Sequence, residues 1–413
     1  MLKQYLKIKL ASLGMPYKIG LVGKPSVGKS TFFNAATMNT VNEANYPFTT
    51  IEPSVGEAYV RVQDAAPDFG EEPDPRVGYY HLGTRYVPVK LVDVAGLVPG
   101  AHEGKGLGNQ FLTDLNEADV LIHVVDFSGE TDIEGEPTSG HDPREDIDFL
   151  ENELDQWYLD ILKKGIERYD GKQRQQDVKL EEELAEQMSA FKVNKNQIKQ
   201  LILRQDLELD PDTWDDEDKL GLARAVRKDT KPIVIAANKM DLEKSQENFE
   251  EIKNDEEYEH LEFIPCSAHA EKALKNADEK ELIEYWPGNN DFEILQEDEM
   301  NDQQKKALED VREFIEEFGG TGVQEVMEKA LFDVLDVIAV FPGGADGLGD
   351  KHGNILPDCF LIPGGSTAED FAYEIHSDIG DGFIHAIDCR DNRQIGGDHE
   401  LEHRDVIEII TSN

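Results

Sequence analysis

Eight residues constrain this chain more than any others. Gly23-Lys24-Pro25-Ser26-Val27-Gly28-Lys29-Ser30 fits the spacing GxxxxGK[ST]. The apolar run YKIGLV (17–22) precedes it and STFFNAAT follows Lys29, so a buried strand, a glycine-rich turn and a helix are expected in that order. Such a turn aims backbone N–H groups at one point, and the helix N-terminus adds a field that favours anions. Gly23, Lys24, Pro25, Ser26, Val27, Gly28, Lys29, Ser30 and Thr31 are therefore expected to line a nucleoside triphosphate. Lys29 would reach the β- and γ-phosphates, and Ser30 would ligate Mg²⁺.

Further along, Asn238-Lys239-Met240-Asp241 follows the apolar run KPIVIAA (231–237). A carboxylate at Asp241 can accept both the N1–H and the N2 amino group of guanine, a donor pair that adenine lacks. The base is therefore expected to be guanine and the ligand GTP or GDP. Asn238 would hold the loop or the base, and Lys239 would pack over the ring. Cys266-Ser267-Ala268 after LEFIP fits a third base loop, with the Ala268 amide meeting the guanine carbonyl. Asp93-Val94-Ala95-Gly96 ends another strand. There Asp93 would hold Mg²⁺ through water, and the Gly96 amide would sense the γ-phosphate. Tyr46-Pro47-Phe48-Thr49-Thr50 offers a threonine for the first switch, and Thr50 is chosen over Thr49 as a metal ligand and catalytic group.

Residues 54–62, 86–94 and 119–126 also read as strands, which with intervening helices gives an α/β fold with a mostly parallel sheet. The Pro/Asp/Glu-rich stretch AAPDFGEEPDPR reads as a solvated loop. About a hundred residues separate 119–126 from 231–237, and 141–230 is rich in Glu, Lys, Leu and Gln with helical spacing. The expected layout is a P-loop NTPase G domain in two parts, 15–140 and 231–336, interrupted by a helical insertion at 141–230. The second part carries an acidic segment. Residues 337–413 show short β-like runs and glycine turns, a small separate β-rich domain. Met15 stands directly before the first strand and reads as the natural start, with residues 1–14 an extension or loose leader.

The runs YPFTTIEPSVG, DVAGLVPGAHEGKGLGNQFL and HVVDFSGETD resemble the Obg-type GTPases, in particular their Obg-like YchF branch. The tail HGNILPDCFLIPGGSTAEDFAYEIHSDIGDGFIHAID resembles the β-grasp TGS domain of that branch. The resemblance covers nearly all of 15–413 and implies nucleotide hydrolysis linked to translation, ribosomes or stress. Many YchF-like proteins carry Glu at the last position of NKxD and prefer ATP; this chain has Asp241. Related potassium-stimulated GTPases have an Asn, which would help hold K⁺ near the phosphates, where this chain has Ser26; K⁺ is kept beside Mg²⁺ as a candidate second ion despite that departure. The position after DxAG usually holds a Gln that orients the attacking water. Here it is Leu97, which cannot, so intrinsic hydrolysis is expected to be slow. His102 is the nearest candidate for the missing group. Gly100, Gly104, Gly106 and Gly108 around it permit a large switch movement. The expected function is a slow GTP-hydrolysing switch. The alternatives are an ATP-preferring YchF-like ATPase and a nucleotide-gated scaffold with incidental turnover.

Charge bounds the partners. Asp+Glu number 87 against 41 Lys+Arg, a net charge of −46. That suits a salty cytoplasm, as in a halophilic archaeon, and argues against DNA, whose phosphates need Lys and Arg. The local departure is informative. Between Lys163 and Arg204 stand ten basic and seven acidic residues, whereas 331–413 hold four basic and seventeen acidic. The insertion is therefore the expected approach to rRNA or tRNA on the ribosome. Three widely spaced cysteines without CxxC suit a reducing, cytoplasmic compartment. No apolar run long enough to span a membrane is present, and a monomer is favoured.

Overall fold

The computed structural model describes residues 17–37, 54–94, 115–173, 178–344, 348–350 and 352–412. Strand β1 (Lys18–Val22) leads into the glycine-rich turn, and α1 (Lys29–Ala36) leaves it. Strands β2 (Ser54–Gln63), β3 (Tyr79–His81), β4 (Thr84–Asp93) and β5 (Val120–Asp126) follow. Four helices come next: α2 (Pro143–Gln173), α3 (Leu180–Gln187), α4 (Lys195–Arg204) and α5 (Asp216–Thr230). The sheet resumes with β6 (Ile233–Asn238), α6 (Glu243–Ile252), β7 (Glu262–Pro265) and α7 (Ala268–Glu279). A short hairpin, β8 (Ile283–Glu284) and β9 (Glu293–Ile294), precedes α8 (Asp302–Phe318) and α9 (Val323–Glu328). The last part holds β10 (Val337–Pro342), β11 (Phe360–Pro363), α10 (Ala368–Ile375), α11 (Ser377–Asp381), β12 (Phe383–Asp388), β13 (Arg393–Ile395) and β14 (Val406–Thr411).

The main sheet runs β2-β4-β1-β5-β6-β7, with β3 paired to β4. β4, β1, β5, β6 and β7 are parallel; β2 and β3 run against β4. Every residue of β5 and β6 is buried, as expected of central parallel strands covered on both faces. Along β5 the side chains alternate between two cores: Leu121 and Val125 join one, Val120, Ile122 and Val124 the other. This topology brings the carboxyl ends of β1, β4, β5, β6 and β7 to one edge, where open α/β sheets bind ligands.

Helix α2 belongs to two cores. Ile147, Leu150 and Leu154 pack with the sheet, while Tyr158, Leu162 and Tyr169 form a separate core with α3, α4 and α5. One 31-residue helix thus carries the insertion away from the nucleotide edge.

The C-terminal sheet, ordered β11-β10-β14-β12-β13, is not a free body. Ala339, Phe341, Cys359 and Val406 share a core with β1, β2, β4 and β5. The Pro/Asp/Glu-rich stretch expected to be solvated is part of this junction. Arg390 and Arg404 both clamp Asp68, Arg76 pairs with Asp350 and Asp358, and the Asp74 and Arg76 amides donate to Ile355 and Pro357 carbonyls. Its partners lie more than 270 residues away in sequence, so composition alone could not reveal them.

Candidate nucleotide site

The turn between β1 and α1 is built on glycine. Gly23 has φ 152° and a Cβ there would meet the Val124 carbonyl at 2.5 Å. Gly28 caps α1 with φ 95°, and its added Cβ would meet Asn238 Nδ2 at 2.4 Å. Ser26 also sits at φ 66°, a left-handed conformation unusual for a side-chain-bearing residue. Lys29 is nearly buried; its Nζ donates to the Val94 carbonyl at 2.7 Å and pairs with Asp93 Oδ1. The other Asp93 oxygen is buried with no partner among the described residues. A buried hard oxygen donor on the carboxylate that pairs with the phosphate-turn lysine fits Mg²⁺. Ser30 and Asp93 are the described residues that would hold that ion. Thr50, Gly96, Leu97 and His102 lie outside the described residues, as do Thr49 and the glycines from Gly100 to Gly108.

Lys24 was expected among the phosphate ligands. Its backbone lies in that turn, and its side chain is 3% exposed and engaged elsewhere. Nζ donates to the Thr131 carbonyl at 2.8 Å and pairs with Asp146 Oδ2 at 2.8 Å, in the first turn of α2. Asp146 in turn bonds His141 Nε2 at 2.9 Å. Burial pushes the Asp146 carboxyl above its ordinary range, against the pull of Lys24 and His141.

Asn238 holds loops rather than the base. Its Nδ2 donates to the Val27 carbonyl at 2.8 Å, and its Oδ1 accepts from the Ala268 amide at 3.0 Å. The Ala268 N–H, expected to meet a guanine carbonyl, donates here to Asn238. Lys239 has φ 66° and its Nζ donates to Asp126 Oδ2 at 2.7 Å. Asp241 is exposed; one of its oxygens accepts from Ser267 Oγ at 2.7 Å, which orients the carboxylate. Ser267 Oγ also accepts from the Ala270 amide, capping α7. Burial pushes the Cys266 thiol well up, with Asp241 adding to the shift, so it stays protonated and serves as a small core side chain.

Several supporting residues carry no motif. Asp126 ends β5 and is fully buried. Burial works against its charge, yet hydrogen bonds from Lys239, Ser128 and Thr131 hold its carboxyl below the ordinary range. The Thr321 carbonyl accepts from the Ser267 amide at 2.9 Å. Next to it, Gly322 has φ 80°, and a Cβ there would overlap the Pro265 carbonyl oxygen at 2.0 Å. Asp126 was visible as the polar end of an apolar strand; Thr321 and Gly322 gave no signal beyond a glycine-rich helix boundary. Asp241, Ser267 and His269 also line a cleft of about 480 Å³ closed by Asp310, Glu313 and Glu317 of α8. Those carboxylates disfavour phosphate in that cleft.

A phosphate turn, a metal carboxylate and paired base loops at one sheet edge define a P-loop nucleoside triphosphatase. Residues 18–164 match the family described as 50S ribosome-binding GTPase, 236–343 match the Obg-like GTPase YGR210-like, G4 motif-containing domain, and 351–411 match the TGS domain. The chain is 45% identical to an uncharacterized GTP-binding protein of Methanocaldococcus jannaschii, covering 95% of this chain and 99% of that one. It is 30% identical to the ribosome-binding ATPase YchF of Pasteurella multocida, over 90% and 88% of the two chains. A crystal structure of a GTP-binding protein from Pyrococcus horikoshii OT3 superposes with a TM-score of 0.75 at 38% identity, covering 95% of this chain and 99% of that chain. The chain belongs to the Obg-like, YchF-related family of P-loop GTPases with a C-terminal TGS domain.

Proposed function

We propose that this chain binds GTP with Mg²⁺ in the cytoplasm and hydrolyses it slowly to GDP and phosphate as a switch acting on ribosomes or RNA. The observation that carries the base choice is the Asp241 carboxylate held by Ser267 on a loop that Asn238 ties to the phosphate turn. One Asp241 oxygen is engaged and the carboxylate stays exposed, so it can take guanine's paired donors. Slow turnover follows from Leu97 in place of a water-orienting glutamine. The ribosomal reading rests on a relative named as a ribosome-binding ATPase, together with the distribution of charge.

That distribution favours the insertion as the approach to RNA. Lys192 pairs with Asp119, Lys195 with Glu182, and Arg168 and Lys172 with Glu183. Lys164, Lys199 and Arg204 are exposed with no ion pair among the described residues. In the TGS domain, Arg390 and Arg404 are committed to Asp68 and Arg393 to Asp388 and Asp391. The test is single-turnover hydrolysis of Mg-GTP with and without ribosomes, in K⁺ and in Na⁺. Acceleration by ribosomes, lost when Lys164, Lys199 and Arg204 are changed to Glu, is the expected result. A rate that neither ribosomes nor K⁺ raises favours a scaffold with incidental turnover. Ribosome binding unchanged by the triple variant rules out the insertion as the contact.

A further inference from the structure

Asp126 has its acceptor capacity filled in an ordered way. Oδ1 accepts from the Ser128 amide at 3.0 Å and from Ser128 Oγ at 2.5 Å. Oδ2 accepts from Thr131 Oγ1 at 2.8 Å and from Lys239 Nζ at 2.7 Å. The first three contacts close the turn after β5. The fourth leaves that turn and reaches the second residue of the base loop. Asp126 lies directly across from Asn238 in the β5–β6 register, and the Phe127 amide donates to the Asn238 carbonyl at 3.2 Å. The carboxylate therefore sits beneath the base loop and grips the tip of the side chain that should cover the ring.

An untethered lysine stem samples many rotamers and loses that freedom when a ligand orders it. A stem already fixed at both ends has lost it beforehand. Lys239 is fixed at one end by its left-handed backbone and at the other by Asp126. We propose that Asp126 is a positioning residue for base recognition, tethering Lys239 so that its stem forms a ready wall for the purine. The proposal rests on the reading of Asn238–Asp241 as the base loop. Asp126 itself touches no nucleotide; it acts through Lys239.

The test compares Mg-GTP with Mg-tripolyphosphate, which has phosphates and no base. Dissociation constants are measured for the unmutated chain, Asp126→Asn, Lys239→Met and the double variant. Asn keeps the size of the side chain and can still bond the Ser128 and Thr131 hydroxyls, but it loses the charge that holds the ammonium. D126N should weaken GTP about tenfold, the scale of one charge-assisted contact, and leave tripolyphosphate unchanged. The double variant should bind GTP no more weakly than K239M. Parallel weakening of tripolyphosphate, or additive losses in the double variant, overturns the proposal and leaves Asp126 a cap of its turn. GTP binding by D126N equal to that of the unmutated chain overturns it as well, with the base loop intact. Failure of the unmutated chain to bind GTP at all overturns the base-loop reading and this inference with it. If D126N does not fold, the double variant, which leaves no unpaired ammonium behind, is read against K239M alone: equal affinity supports tethering, and a further tenfold loss contradicts it.

Discussion

At the scale of single residues, the site separates charge from contact. Lys29 and Asp93 pair with each other, and the free Asp93 oxygen is the donor that would serve a metal. Lys29→Ala should abolish Mg-GTP binding within the range of an ordinary titration, as isothermal titration would show, and should also lower the thermal transition, because it strands the buried Asp93 carboxylate. His123 makes a different prediction. It lies in the middle of β5, and burial, opposed by Glu151 and aided by Lys24, pushes its imidazole down to about 3. The folded state therefore keeps it neutral while the unfolded state protonates near pH 6.5. Its contribution is present above that pH and is lost as pH falls toward 3, roughly 3 kcal/mol by pH 4. A series of urea midpoints from pH 7 to pH 4 should fall less steeply in His123→Gln than in the unmutated chain. Equal slopes would mean that His123 protonates in the folded core.

At the scale of elements, the link between the phosphate turn and α2 is the most consequential contact. Lys24 and Asp146 are each about 3% exposed, and the pair joins the nucleotide turn to the helix that carries the insertion. Asp146→Ala strands a buried ammonium and should cost about 3–5 kcal/mol. The double change Lys24→Met, Asp146→Leu should recover most of that, measured by denaturant unfolding; no recovery would show that the contact to Thr131 dominates. This link also marks how far the sequence could be read. The phosphate turn, NKxD and Ser267 were legible because each is a short, contiguous pattern next to an apolar strand. The direction of the Lys24 side chain was not, because its partners Thr131 and Asp146 are set by the path of the chain after β5. The contact between Asn238 and the Ala268 amide was hidden for a similar reason: Asn238 lies thirty residues upstream, and only the parallel pairing of β6 with β7 brings its side chain there. Thr321 and Gly322 support Ser267 from a segment with no nucleotide motif of its own.

At the scale of the whole molecule, the net charge of −46 sets the background and the junctions set the shape. Self-repulsion of this size should weaken as salt shortens the screening length from about 10 Å at 0.1 M to about 3 Å at 1 M. The melting temperature is expected to rise by roughly 5 °C or more over that range of KCl; a flat profile would show that local pairing already neutralises the surface. The TGS domain shares a core with the nucleotide sheet, so it should melt with the sheet in one transition. Among the described residues no helix is long and apolar enough to cross a membrane. The most direct measurement is equilibrium competition of GTP against ATP for the unmutated chain and for Asp241→Glu. GTP at least tenfold tighter than ATP, with that preference reduced in D241E, is the predicted result. ATP binding as tightly as GTP to the unmutated chain would contradict guanine recognition by Asp241.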